Sequence, residues 1–308
     1  LVVFGFFGLH TLIWLPKSLK QRRINKHHTP VGKVKYYRRF NKRQRFTHIM
    51  VILSFLLLAL TGMTLKFAHM EWASWIAHML GGVKAAGTIH RFAAVITFAY
   101  FAFHLSTLFQ LRAKEKLSVK EFLFGKNSLM FSKQDIKDLG ASIKWFFGKG
   151  PRPEYGRWTY WEKFDYMAVF WGVAVIGLSG LILWFPEFFT LFIPGWAINV
   201  AQIIHSDEAL LATGFIFTIH FFNTHLRPES FPMDTVIFTG HVPLEEYKKD
   251  RPREYKELVE SGKLDSVVVE KEISRGWIKF VKAMGYLFLS LGIIMVILII
   301  YSLIAGVY

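Results

Sequence analysis

The sequence predicts an all-α, polytopic membrane protein, and three observations predict it. Of 308 residues, 53% are hydrophobic and 17% aromatic, with a mean hydropathy of +0.31. The apolar residues gather into six runs, near 1–19, 46–68, 88–110, 164–186, 198–222 and 277–305. A helix needs roughly 20 such residues to cross about 30 Å of hydrocarbon. Finally, 35 of the 38 Lys and Arg residues fall in the tracts 17–45, 112–163 and 227–282, which are alternate connections. Lys66, Lys84 and Arg91 sit at the opposite ends of the spans. The positive-inside rule makes the basic tracts cytoplasmic and turns both termini outward.

Each element follows in order. Residues 1–45 read as a first transmembrane helix and a basic cytoplasmic loop; without a basic stretch ahead or a small-residue cleavage site behind, 1–19 is expected to be a span rather than a leader. Residues 46–230 hold four spans. Between the first two, "HMEWASWIAHML" predicts a short interfacial helix with Trp72 and Trp75 at headgroup level. Residues 231–275 form a second long cytoplasmic loop, and 276–308 a last span. Amphipathic helices at the membrane surface are expected near 132–148 and 244–261.

Composition also excludes. The formal charge of +16 is concentrated beside membrane spans, which suits anionic lipid and argues against nucleic acid. With no cysteine, disulfides, iron–sulfur clusters and covalently attached c-type haem are ruled out in this chain. Asp and Glu keep to loops and span ends, whereas ion-coupled transporters need mid-membrane carboxylates and broken helices. A histidine-rich transporter is therefore the lesser reading.

Ionisable residues inside spans are costly and mark function, and here they are histidines. His90 and His104, in "TIHRFAAVITFAYFAFHLSTLF", are fourteen residues apart, about four turns and so about 21 Å along one face. "VAQIIHSDEALLATGFIFTIHFF" repeats this with His205 and His220. Both spans run from outside to inside, so His90 matches His205 in depth near the outer face, and His104 matches His220 nearer the inner face. Two levels of facing imidazoles are what two bis-histidine haems require. His48, opening "RFTHIMVILSFLLLALTGMTL", competes with His104 for the position opposite His220, and geometry alone does not choose. His27, His28 and His241 lie in loops, and His69 and His78 at the outer interface. His10 lies within the first run and reads as structural.

These segments carry a resemblance. "RFTHIMVILSFLLLALTGMTL" resembles the first helix of the cytochrome b subunits of formate dehydrogenase and nickel–iron hydrogenase, where a ligand histidine precedes a Ser/Thr-Gly pair. "TIHRF", "YWEKFDYMAVFWGVAVIGLSGLILW" and "IIHSDEALLATGFIFTIH" are similar to that family's second, third and fourth helices. The resemblance covers about 46–230 and implies a four-helix bundle with two b haems, flanked here by one extra transmembrane helix at each end. It implies His90 and His205 on the outer haem, His48 and His220 on the inner, and a quinone site by the inner haem. His104 is extra, and its spacing is closer to the cytochrome b6 type. "FGFFGLHTLIWLPKSLK" with "NTHLRPESFPMD" looks like cytochrome b proteins joined to periplasmic multihaem cytochromes c.

The expected function is a respiratory-chain cytochrome in the bacterial inner membrane, with both termini periplasmic. It would exchange electrons between the quinone pool, menaquinol above all, and a periplasmic multihaem cytochrome c. The alternative is the quinone-reducing anchor of a formate dehydrogenase or hydrogenase. Arg91 and Arg45 suit haem propionates. Gly62, Gly177, Gly180 and Gly214 allow close approach of a macrocycle or a helix. Quinone chemistry needs groups that exchange protons; Glu162, Asp165, His225 and Arg227 supply them at the inner level, with Tyr160, Trp161 and Asn223 beside them. Asp207 and Glu208 form a smaller outer set.

Overall fold

In the computed structural model, residues 2–24, 34–227 and 230–306 are described; His27 and His28 lie outside them. The chain is all-α in character, 76% helical. In order come α1 (Val2–Ile24), β1 (Val34–Arg38), α2 (Lys42–Lys66), α3 (Glu71–Met79) and α4 (Val83–Lys114). Next are α5 (Val119–Phe124), α6 (Lys133–Phe146), α7 (Tyr160–Trp184), α8 (Pro186–Phe189) and α9 (Trp196–Phe215). Then follow α10 (Val236–Thr239), β2 (His241–Pro243), α11 (Leu244–Asp250), α12 (Pro252–Glu260), α13 (Leu264–Val267), β3 (Val268–Lys271) and α14 (Arg275–Ala305).

Among the described residues five helices are long and apolar enough to cross a membrane: α2, α4, α7, α9 with its continuation to Leu226, and α14. This is a multi-pass membrane protein. The sequence predicted six spans. The run at 1–19 is helical, but α1 is not among the five. Its packed residues Phe7, His10 and Trp14 meet Phe164, Tyr160 and Trp161 in the first turns of α7.

Capping starts two of the spans. Asn41 and Gln44 exchange side-chain bonds to each other's backbone N–H at 2.9 Å ahead of α2. Thr159 and Glu162 do the same for α7, the Glu162 carboxylate accepting from the Thr159 N–H at 2.8 Å and its hydroxyl at 2.9 Å. This satisfies donors that a helix start leaves orphaned. After Phe215 the helix begun by α9 widens. Ile216–His220 and Phe222–Leu226 are π-helical, with the Arg227 N–H donating back to the Phe222 carbonyl at 2.7 Å. Such turns are rare and concentrate at functional sites.

The chain divides into two compact units, neither continuous in sequence. One gathers 1–45, 112–167 and 219–290. Its core is aromatic: Trp14, Trp145, Phe146, Tyr155, Tyr160, Trp161 and Phe222. A three-stranded antiparallel sheet, ordered β2-β1-β3, joins its loops, with Tyr37 opposite both Val242 and Val268. Beside it is a buried ionic network. Tyr37 and Tyr247 stack at 3.7 Å and both donate to Glu254, Tyr37 at 3.0 Å. Arg157 donates to Glu254 at 3.0 Å and to the Tyr37 hydroxyl at 2.8 Å, and Arg39 lies 3.8 Å from the same carboxylate. Burial comes first among the causes that raise both tyrosine pKa values.

The amphipathic helix predicted near 132–148 is α6, whose Asp138 takes a two-pronged bond from Arg253 at 2.7 and 3.2 Å. The helix predicted at 244–261 is broken into α11 and α12. Pro252 supplies no N–H and disfavours helical backbone at Arg251, which sits at φ −130°, ψ 55°.

In the same unit, burial first and then repulsion from Asp250 and Asp234 push Glu246 up to about 7, against opposing Arg227 and Lys249. A carboxyl raised in the folded state favours folding while protonated. That contribution is complete below the unfolded value of 4.5 and is lost as pH rises through about 7. Glu246→Gln is therefore expected to raise the thermal midpoint most at pH 8, with the gain shrinking toward pH 4.5, as followed by Trp fluorescence. An equal gain at both pH values would contradict this.

The second unit gathers 46–111, 168–218 and 291–308. Here α3 follows α2 and packs on the end of α14. Trp72 is tied by its indole N–H to Ser302 of α14 at 2.9 Å, while Trp75 is exposed, as expected of an interfacial ring. Gly81 and Gly82 turn the chain into α4 with φ of +94° and +98°, which favours glycine.

Candidate functional site

Within the second unit, α4 and α9 present His90 and His205 to one another with ring centroids 6.1 Å apart and planes at 75°. Both rings are partly buried. Each is held through Nδ1. The His90 Nδ1–H donates to Thr61 Oγ1 at 2.9 Å; that hydroxyl's own proton goes to the Leu57 carbonyl at 2.6 Å, so the oxygen is free to accept. The His205 Nδ1–H donates to the Ile176 carbonyl at 2.9 Å, with Ser179 Oγ at 3.4 Å. Both bonds leave Nε2 as the lone-pair nitrogen, the arrangement seen when the other ring N–H of a metal-bound histidine is tied down.

Two glycines let neighbouring helices approach these rings. A Cβ on Gly62 of α2 would lie 3.3 Å from His90 Cε1, and one on Gly180 of α7 would lie 2.9 Å from His205 Cε1. Gly177 instead faces Phe98, at 3.1 Å. The two helices therefore offer matching pairs, Thr61-Gly62 to one histidine and Ser179-Gly180 to the other. The glycines were legible by their size, whereas the bonds from Thr61 and Ser179 to the rings were not, beyond the placing of each hydroxyl next to a glycine.

Cations at this level are Arg91, over the Trp184 ring at 5.7 Å, and Lys66, bonded to Ser206 at 2.5 Å and Asp207 at 3.0 Å. Glu208 accepts from the Trp171 indole at 3.3 Å.

The predicted inner residues are placed as follows. His48 and His104 belong to the second unit, with His104 beside Phe170 at 6.2 Å. His220 belongs to the first unit, at the end of the first π-helical stretch. There its Nδ1–H donates to Asp165 at 2.9 Å, a carboxylate–histidine pair that orients Nε2 outward from the bond. Asp165, expected at the quinone, is thus engaged with a histidine.

Glu162, expected there too, joins the α7 cap to Arg251 at 3.0 Å and Arg39 at 3.3 Å. A carboxylate held by two guanidiniums and a cap is poorly disposed to carry protons. The "TYWE" sequence ahead of an apolar run is the capping-box signature that marks this role. His225 is buried, donating from Nδ1 to the Pro232 carbonyl at 2.9 Å. Arg227 lies over Trp14 at 5.1 Å. Arg45, expected at the inner propionates, donates from Nη1 to the Phe238 and Thr239 carbonyls at 2.9 and 3.0 Å. His10 shares a 2.5 Å hydrogen bond with Tyr160 inside an aromatic surround.

The spacing of His90 and His205 limits what they can hold. Metal–imidazole nitrogen bonds are about 2 Å long, so two imidazoles trans on one metal have ring centroids roughly 6 Å apart. Among the described residues no group of three or more His, Asp or Glu could hold a metal ion. A metal at this pair would take any further donors from outside the described side chains, such as water or a macrocycle, and haem is one group that brings its own. The residues fit it: two lone-pair nitrogens, glycines beside both rings, and the cations Arg91 and Lys66 at the same ends of α4 and α2. No protein-family model matches the chain, and no curated protein matches it either.

Proposed function

We propose that the protein is a b-type cytochrome of a bacterial inner membrane that exchanges electrons between the quinone pool and a partner on the outer side. In this reading α2, α4, α7 and α9 form the di-haem bundle and α14 flanks it. The observation that carries it is the His90–His205 pair, 6.1 Å apart with both Nδ1 atoms engaged. Haem supplies one-electron exchange when bound. The chain supplies the rest: His90 and His205 hold the outer group, and Thr61 and the Ile176 carbonyl fix their tautomers. The apolar spans exclude water.

At the inner level His220 is oriented by Asp165, and sequence assigns its opposite ligand to His48 or His104. Menaquinol is the favoured quinone, reacting on the cytoplasmic side. With Glu162 committed to arginines, His225 and the His10–Tyr160 pair are the groups there best suited to hydrogen-bond a carbonyl or hold a proton. A multihaem cytochrome c is the favoured outer partner and a dehydrogenase subunit the alternative.

The purified protein is expected to give a dithionite-reduced b-type spectrum, with two haems per chain by pyridine haemochrome. His220→Ala should lose the inner haem. His48→Ala should lose it too and His104→Ala retain it; the reverse outcome would assign the inner iron to His104. A wild-type protein without haem would end the reading.

A further inference from the structure

The two outer histidines are supported unequally, and the inequality assigns a role to one residue. The chief acceptor for His205 is a backbone carbonyl, with Ser179 at the longer distance of 3.4 Å. The Nδ1 partner of His90 is a side chain, Thr61 Oγ1 at 2.9 Å. Thr61 is fully buried, and its proton is spent on Leu57. The oxygen can therefore only accept from the ring, and the chain Nδ1–H to Oγ1 to the Leu57 carbonyl is polarised in one direction. Gly62, next in sequence, leaves the space that brings α2 against the ring.

Resting on the haem reading, we propose that Thr61 is the positioning residue of the outer haem. It fixes the His90 tautomer and raises the basicity of Nε2, while Ser179 is dispensable because the Ile176 carbonyl does its work. Such support raises ligand basicity, and losing it costs about 10- to 100-fold in metal affinity. A more basic ligand favours the ferric state, so removing the acceptor should raise the reduction potential.

The experiment uses full-length protein in detergent, with redox titration, low-temperature EPR of the ferric haems and haem-retention assays. Thr61→Val keeps the volume and removes the acceptor. It is expected to raise the potential of the outer haem alone, shift that haem's EPR signal and weaken its retention about tenfold. Thr61→Ser should restore all three, and Ser179→Ala should match wild type. The proposal is overturned if Thr61→Val titrates as wild type does. It is equally overturned if Thr61→Ser behaves as Thr61→Val, which would make the methyl group and its packing responsible. A shift in Ser179→Ala as large as in Thr61→Val would overturn the asymmetry. Two haems in wild type with one lost in His90→Ala keeps the haem reading intact in each of these cases. Absence of haem from wild type overturns both.

Discussion

His90→Ala and His205→Ala are each expected to remove one haem per chain and leave the second reducible, halving the pyridine haemochrome signal. The rings face one another at 6.1 Å, and deleting either would remove one of the two nitrogens that would hold this haem, the other lying 115 residues away in sequence. Gly180→Ala should approach the same loss without touching a ligand, because its Cβ would lie 2.9 Å from His205 Cε1 and the ring would have to move. Retention of both haems in His90→Ala would break the pairing.

Glu254→Ala is expected to be the most destabilising change in the unit built from the loops. The carboxylate is 6% exposed and is met by two tyrosine hydroxyls and two arginines. Removing one partner of a buried ionic group costs roughly 3–5 kcal/mol, because charges remain buried without compensation. Limited proteolysis of inverted membrane vesicles should show cleavage in 231–275 that wild type resists. A variant as resistant as wild type would mean the network is solvated. Haem content separates this effect from loss of ligands, since none of these residues supplies a nitrogen.

Much of this was legible in the sequence, for identifiable reasons. Spans depend on run length and apolarity, which are local, and all five helices that qualify were expected. The depth match of His90 with His205 follows from helical rise, which α4 and α9 keep at those positions. What escaped was set by tertiary partners. Arg39, Arg157 and Arg251 read as part of a basic surface because their carboxylates, Glu162 and Glu254, lie at least 89 residues away. The sheet escaped because its strands are three to five residues long and widely separated. The run at 1–19 is helical as expected, as α1, although it is not among the five described helices that qualify as spans. The π-helical turns around His220 change the angular bookkeeping that a uniform 3.6-residue period assumes.

The order of the strands sets a timetable. β1 is the central strand, and its two neighbours lie more than two hundred residues downstream, after α2, α4, α7 and α9 have been made. At roughly 5–20 residues per second of synthesis, β1 waits on the order of 10 to 50 seconds with both edges open. Lys35 and Arg38 on that strand are the kind of charge that discourages wrong pairing meanwhile. The sheet therefore closes only after four membrane helices have left the ribosome, as the late clasp on a chain already threaded through the bilayer.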